Sequence, residues 1–293
     1  MTNLDETTTR ILNILRETKP LVHSITNYVT VNDCANALLA IGARPVMSHA
    51  VQETRDITSG SDCLELNLGA TEYFESMFLS AQEANAKGIP IVIDPVGVSG
   101  STYRRDFLKR LISECHPTAI RGNRSEILAL IKDHKTETGV DSVRCNDDLT
   151  ASELLDTMCK FCQKDSEHRK SKGIYDSLVL VCSGAIDKVA SKDRGYCING
   201  GSELMSHVTG TGCMSSVILG AFLTTVKYTA SIKTTQDSIS NFDAVESAIK
   251  FVNYAAERAS ENLNNLNENM PLPHGTYGSG TYHILLMDAL RNF

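Results

Sequence analysis

The sequence predicts a single α/β domain, with a mostly parallel sheet covered by helices on both faces. Three observations carry that expectation. Short β-branched runs bounded by Gly, Pro or Asn alternate with longer stretches of helical apolar spacing, a repeated βαβ pattern. No repeat, low-complexity tract or Pro/Gly/Ser-rich linker divides the chain, so residues 1–293 read as one unit. At 293 residues with 42% hydrophobic composition, the chain is long enough to bury a sizeable core.

In chain order, a helix is expected over 30–41 and a strand over "PVMS" (45–48). Strand "CLELNLG" (63–69) then leads to a helix over 71–87, and "IPIVIDP" (89–95) to a helix over 102–115. "TAIRGN" (118–123) precedes helices over 124–132 and 151–165. In the second of these, Leu154, Leu155, Met158, Phe161 and Cys162 have helical spacing, so the Cys159-x-x-Cys162 pair reads as a packed helix face, with no second ligand pair to make a metal site. "QKDSEHRKSKGIYDS" (163–177) is the expected exposed loop, and "SLVLVCSG" (177–184) the next strand. Lys192-Asp193-Arg194-Gly195 sits between two short strand-like pieces, as an antiparallel hairpin would place it. Three helices close the chain: one from Thr211, one over 241–263 with an apolar stripe from Val245 to Ala259, and one over 282–290.

A net charge of −7 and the absence of a basic run argue against nucleic acid as a partner. No apolar segment is long enough to cross a membrane, and the acidic, hydroxyl-rich start is unlike a signal peptide. Nine scattered cysteines, an odd number in a long chain, are expected to be free thiols. The expected location is cytoplasmic.

In an open α/β sheet, ligands bind beyond the carboxyl ends of the strands. Those positions hold Asp94-Pro95, then Arg121 to Glu126, then Ser183-Gly184, and after the hairpin the turn Gly210-Thr211-Gly212-Cys213. Two carboxylates near each other suit Mg²⁺, an arginine suits phosphate, and a glycine turn opening a helix leaves backbone N–H groups for an anion. Asp94, Glu126, Arg121 and the glycine turn therefore suggest nucleotide-dependent phosphoryl transfer. Each also has a structural explanation. Asp94-Pro95 fits a strand-ending turn, Asn123-x-x-Glu126 fits a capping box, and Arg121 fits a surface ion pair. The glycine turn is neither a Rossmann fingerprint, since Ser215 replaces the third glycine, nor a Walker loop.

Residues 20–47, "LNLGA" (66–70), "IDPVGV" (93–98), "YRRDFL" (103–108), "AIRGNRSEI" (119–127), "GVD" (139–141) and "GTGCMSS" (210–216) occur in the order and spacing of hydroxyethylthiazole kinases, which the chain closely resembles. The resemblance implies a ribokinase-like fold and ATP-dependent phosphorylation of 4-methyl-5-(2-hydroxyethyl)thiazole in thiamine salvage. It implies Met47, Gly210 and Asn27 at the thiazole, Arg121 and Ser183 on ATP, Asp94 and Glu126 near Mg²⁺, and Thr209, Gly210, Thr211 and Gly212 as the anion hole. It also implies a homotrimer with substrate sites between subunits. Related kinases of the fold carry an aspartate base at the fourth position of the glycine turn, where this chain has Cys213. A thiol at a helix N-terminus is expected to have a lowered pKa and to take the hydroxyl proton; the alternative is a small buried residue at a tight turn.

One departure stands out: Ser183-Gly184-Ala185 replaces the family's frequent Thr-Gly-Glu. Two rival functions remain. A pyrimidine or sugar kinase of the same fold is disfavoured by the 20–47 segment and by Cys213, and a non-catalytic nucleotide-binding regulator by the retention of all the candidate site residues.

Overall fold

The computed structural model describes residues 4–137, 149–230, 238–270, 272 and 276–292. The "GVD" motif at 139–141 and Cys145 lie outside them. The order of elements is α1 (Glu6–Thr18), β1 (Leu21–Ile25), α2 (Val31–Ile41), β2 (Arg44–Val46), α3 (Thr54–Ser59), β3 (Cys63–Asn67), α4 (Phe74–Lys87), β4 (Ile91–Asp94), α5 (Thr102–Cys115), β5 (Ala119–Asn123), α6 (Arg124–Glu137), α7 (Ala151–Ser171), β6 (Val179–Ser183), β7 (Asp187–Ala190), β8 (Gly195–Ile198), α8 (Thr211–Leu223), α9 (Thr225–Ala230), α10 (Asn241–Asn269) and α11 (Ser279–Arg291).

The strands form one sheet in the order β2-β1-β3-β4-β5-β6-β7-β8. The pairs from β2 through β6 are parallel, and β7 and β8 join antiparallel as the hairpin that the sequence predicts. Alternate residues of each strand enter two cores on opposite faces. Val22, Cys63, Val92, Val179 and Val181 pack with α1, α2, α8, α10 and α11. Leu64, Leu66, Ile93, Ile120 and Leu180 pack with α4 to α7. That two-sided burial is what parallel strands joined by helical crossovers require.

α8 is the central helix of the first face, with every residue from Cys213 to Leu223 buried. At Gly220 a Cβ would lie 3.0 Å from Cys63 Sγ, so the missing side chain lets the helix settle closely on the sheet. That position directs the N-terminus of α8 at the carboxyl ends of β3, β4 and β5.

Two expectations change. The sheet gains β1 and the chain gains α1, both ahead of the first strand expected from the sequence. The expected loop at 163–177 is helical through Ser171. Its charges are not all solvated: Arg169 is buried, pairs with Asp165 (2.6 Å) and donates to the carbonyl of Pro117 (2.8 Å). This inward ion pair ties the end of α7 to the segment after α5, where His116 adopts a left-handed φ of 39°. Cys159 and Cys162 do belong to a packed helix face, and the eight described cysteines are free thiols.

Candidate active site

The glycine turn begins α8 with Gly210 at φ 86°, where a Cβ would meet Thr30 Cγ2 at 2.8 Å. Glycine alone fits both constraints without strain. No side chain caps this helix. Its first N–H groups are therefore left for solvent or an anion, reinforced by the helix dipole. Arg121, in the middle of β5 and 9% exposed, donates through Nη1 to the Gly212 carbonyl (3.0 Å). Its Nε is buried with no hydrogen-bond partner.

Asp94 ends β4 beneath the turn. Its Oδ2 accepts from Asn67 Nδ2 (3.1 Å) and Ser216 Oγ (3.0 Å). Burial raises its pKa to about 6; Arg121 opposes that rise and Glu126 adds to it. Glu126 does form the capping box, accepting from the Asn123 N–H (2.9 Å) while Asn123 Oδ1 accepts from the Glu126 N–H (3.1 Å). Its second oxygen accepts from the Gly97 N–H (2.9 Å). The capping role and a role in the cleft coexist, because Glu126 also lines the same cavity as Asp94.

Two carboxylates lining one cleft, one of which raises the pKa of the other, fit a divalent cation. Among the described residues no third His, Cys, Asp or Glu joins them as a ligand cluster. That donor set suits Mg²⁺, which keeps waters and takes phosphate oxygens, better than a cation that needs a full protein cage.

Cys213 is buried against the same acid. Burial first, then the charge of Asp94, push its thiol up to about 12, although Thr30 and Asn67 hydrogen bonds oppose the rise. The lowered pKa expected for a thiol at a helix N-terminus is therefore overturned: desolvation outweighs the dipole at this position.

A cleft of about 980 Å³ collects Asp94, Glu126, Arg121, Ser183, Gly210, Thr211, Gly212 and Cys213, which the sequence had placed at separate strand ends. Ser183 Oγ donates to the Gly122 carbonyl (3.1 Å). Three other candidates are placed differently. Thr209 is exposed and does not line this cleft. Asn27 lies behind the thiol, its Nδ2 3.7 Å from Cys213 Sγ. Met47 is half-buried just past the edge strand β2, outside the cleft lining.

The cleft also holds residues the sequence did not single out. Asp187 accepts from the Gly184 N–H (3.1 Å) and from Asn253 Nδ2 (2.9 Å), putting a carboxylate two residues beyond Ala185, where the family's frequent acid is missing. Asn67 was missed although it is the last residue of β3; the strand-end rule that selected Asp94 would have found it.

A family model described as the hydroxyethylthiazole kinase family matches residues 12–293. The chain belongs to this family. A hydroxyethylthiazole kinase of Ruminiclostridium cellulolyticum is 33% identical over 288 residues, covering 96% of this chain and 91% of that protein. One from Clostridium beijerinckii is 35% identical over 284 residues, with the same coverage. Among solved structures, the hydroxyethylthiazole kinase protein from Pyrococcus horikoshii OT3 superposes with a TM-score of 0.78 at 28% identity, covering 99% of this chain and 94% of that one. An adenosine kinase from Anopheles gambiae, with a TM-score of 0.51 and 10% identity over 86% of this chain and 77% of its own, shares the fold alone.

Proposed function

We propose that this hydroxyethylthiazole kinase family member transfers the γ-phosphoryl group of ATP to the hydroxyl of 4-methyl-5-(2-hydroxyethyl)thiazole. One observation carries the site assignment: a buried guanidinium with an unpartnered Nε sits at an uncapped helix start, with two carboxylates lining the same cleft. An uncapped helix start that opens on a cleft beside a guanidinium suits a polyanion.

In this reading the N–H groups of the Gly210 turn receive the transferred phosphoryl group, and Arg121 and Ser183 hold the nucleotide's phosphates. The alcohol oxygen attacks the γ-phosphorus as the bond to the ADP oxygen breaks, and the hydroxyl proton passes late in the step to an oxygen of the transferred phosphoryl group. The transition state is loose, so positioning and charge neutralisation supply most of the rate. Mg²⁺ held by Asp94 and Glu126 would neutralise phosphate charge. Cys213 keeps its proton at neutral pH, so it orients the hydroxyl and does not act as a preformed base. Met47 and Asn27 form the thiazole side.

Exposed Tyr28 and Val29 next to Asn27 support a subunit contact at this edge, as a homotrimer with shared sites would need. Among the described residues no helix is long and apolar enough to cross a membrane, in keeping with a cytoplasmic enzyme.

ATP consumption by the purified protein, measured against thiazole, pyrimidine and sugar alcohols, tests the proposal. Turnover with the thiazole alcohol and little with the others is expected; preference for a sugar or pyrimidine would overturn it.

A further inference from the structure

Asn67 ends β3 directly beneath the start of α8 and is fully buried. A side-chain amide offers two N–H donors and an oxygen with two acceptor sites. All four are used here. Oδ1 accepts from the Gly69 backbone N–H (3.0 Å) and from Asn27 Nδ2 (3.2 Å). Nδ2 donates to Asp94 Oδ2 (3.1 Å) and to Cys213 Sγ (3.1 Å). The backbone N–H of Gly69 can only donate, which fixes the oxygen end of the amide and hence the direction of both Nδ2 bonds. A Cβ at Gly69 would lie 2.8 Å from that oxygen, so glycine permits the close turn.

We propose that Asn67 is a positioning residue for phosphoryl transfer. It locks the carboxylate of Asp94 and the thiol of Cys213 in one arrangement and ties both to Asn27, assigned above to the thiazole. Ser216 Oγ also holds Asp94 Oδ2, but among the described residues Asn67 alone hydrogen-bonds Asp94, Cys213 and Asn27 together. The inference rests on Asp94 and Cys213 belonging to the reaction centre, as proposed above. Reaction centres are sensitive to small misplacements, so loss of this amide should slow the chemical step while leaving substrate affinity nearly intact.

The test compares Asn67→Ala with Asn67→Asp in the full chain, with thermal melts and ATP affinity to establish folding. Alanine is expected to lower kcat about 10- to 100-fold while changing either KM by less than about threefold. Aspartate has the same shape but, when ionised, donates nothing and opposes Asp94, so it should be at least as impaired as alanine. A space-filling side chain predicts the reverse order, and an aspartate variant more active than alanine overturns the proposal. Near-normal kcat in Asn67→Ala does so as well.

If the aspartate variant does not fold, a double-mutant cycle of Asn67→Ala with Cys213→Ala decides. Losses smaller together than their product support coupling, and independent losses refute it. Asp94→Asn separates the two levels of the claim. Impaired Asp94→Asn beside normal Asn67→Ala removes only this inference, whereas normal Asp94→Asn removes the site assignment itself.

Discussion

The starts of α8 and α10 solve the same problem in opposite ways. Ser240 caps α10 through a full capping box with Asp243, so its first donors are satisfied within the chain. α8 begins at Gly210 with no capping side chain and opens on a cleft. α7 is boxed by Thr150 and Glu153 as α10 is, and α6 is capped by Asn123 and Glu126 while still presenting Glu126 to the cleft. α2, α4 and α11 also start without a capping side chain; what sets α8 apart is that its uncapped start opens on the cleft. The same contrast holds for unpartnered side-chain atoms. Arg121 lines the cleft although its unpartnered Nε is itself buried, whereas Glu65, with Oε1 unpartnered, is sealed in the core at 0% exposure.

The largest expected effect comes from closing the open helix start. Gly210→Ala puts a Cβ against Thr30 at a left-handed φ, which must distort the turn proposed to receive the phosphoryl group. We expect kcat to fall at least about 100-fold, a range typical of losing an oxyanion-type donor. Activity within a few fold of the parent would show that the open start is not the anion site.

Glu65 sharpens the distinction between open and sealed groups. Burial holds its pKa well above the ordinary 4.5, despite a hydrogen bond from Ser24 Oγ. A raised folded value means the folded state binds the proton more tightly. The wild-type protein therefore loses stability as pH rises above about 4.5 and until Glu65 ionises in the fold, by about 1.4 kcal/mol per pH unit. Glu65→Gln lacks this loss, so its stability relative to the wild type should climb as pH rises above about 4.5 in denaturant titrations. A constant difference would mean that Glu65 is not sealed from solvent.

Cys213 lies in the first turn of the open helix, yet it is protonated. Cys213→Ala should lower kcat by less than about tenfold at saturating ATP. Cys213→Asp supplies a carboxylate far more ready to accept a proton and should raise kcat, with a lower melting temperature from crowding against Asp94. A loss of about 100-fold or more in the alanine variant would restore the thiol as the base.

The smallest effect belongs to the closed start. Ser240→Ala should cost about 1 kcal/mol of stability by removing the α10 cap, with kcat unchanged. A fall in activity matching that of Gly210→Ala would erase the contrast between the two helices.

The central strands were legible because β3 to β6 are β-branched or leucine-rich runs ending at Pro, Gly or Asn. β1 was not, because "LVHSI" carries His23 and Ser24, which the fold satisfies with Thr58, Ser48 and Glu65 from distant segments. The helical half of 163–177 was hidden for the same reason: Arg169 and Asp165 look solvated until the carbonyls after α5 are placed beside them. In the site, Asp94, Arg121, Glu126 and the glycine turn were legible from the ends of strands. Asn67 stands at a strand end as they do, but its four partners, spread from Asn27 to Cys213, meet only in the fold.

By itself the sequence determined the α/β class, the family, and the residue types that gather at the carboxyl ends of the strands, because periodicity and strand-end chemistry are local properties. Only the tertiary structure decided protonation and pairing. It decided that Cys213 is held as a thiol, that Glu126 serves cap and cleft together, and that one amide joins Asp94 to Cys213. Those outcomes depend on burial and on distances between segments far apart in the chain, and desolvation acts on a group only once neighbours from elsewhere have excluded water from it.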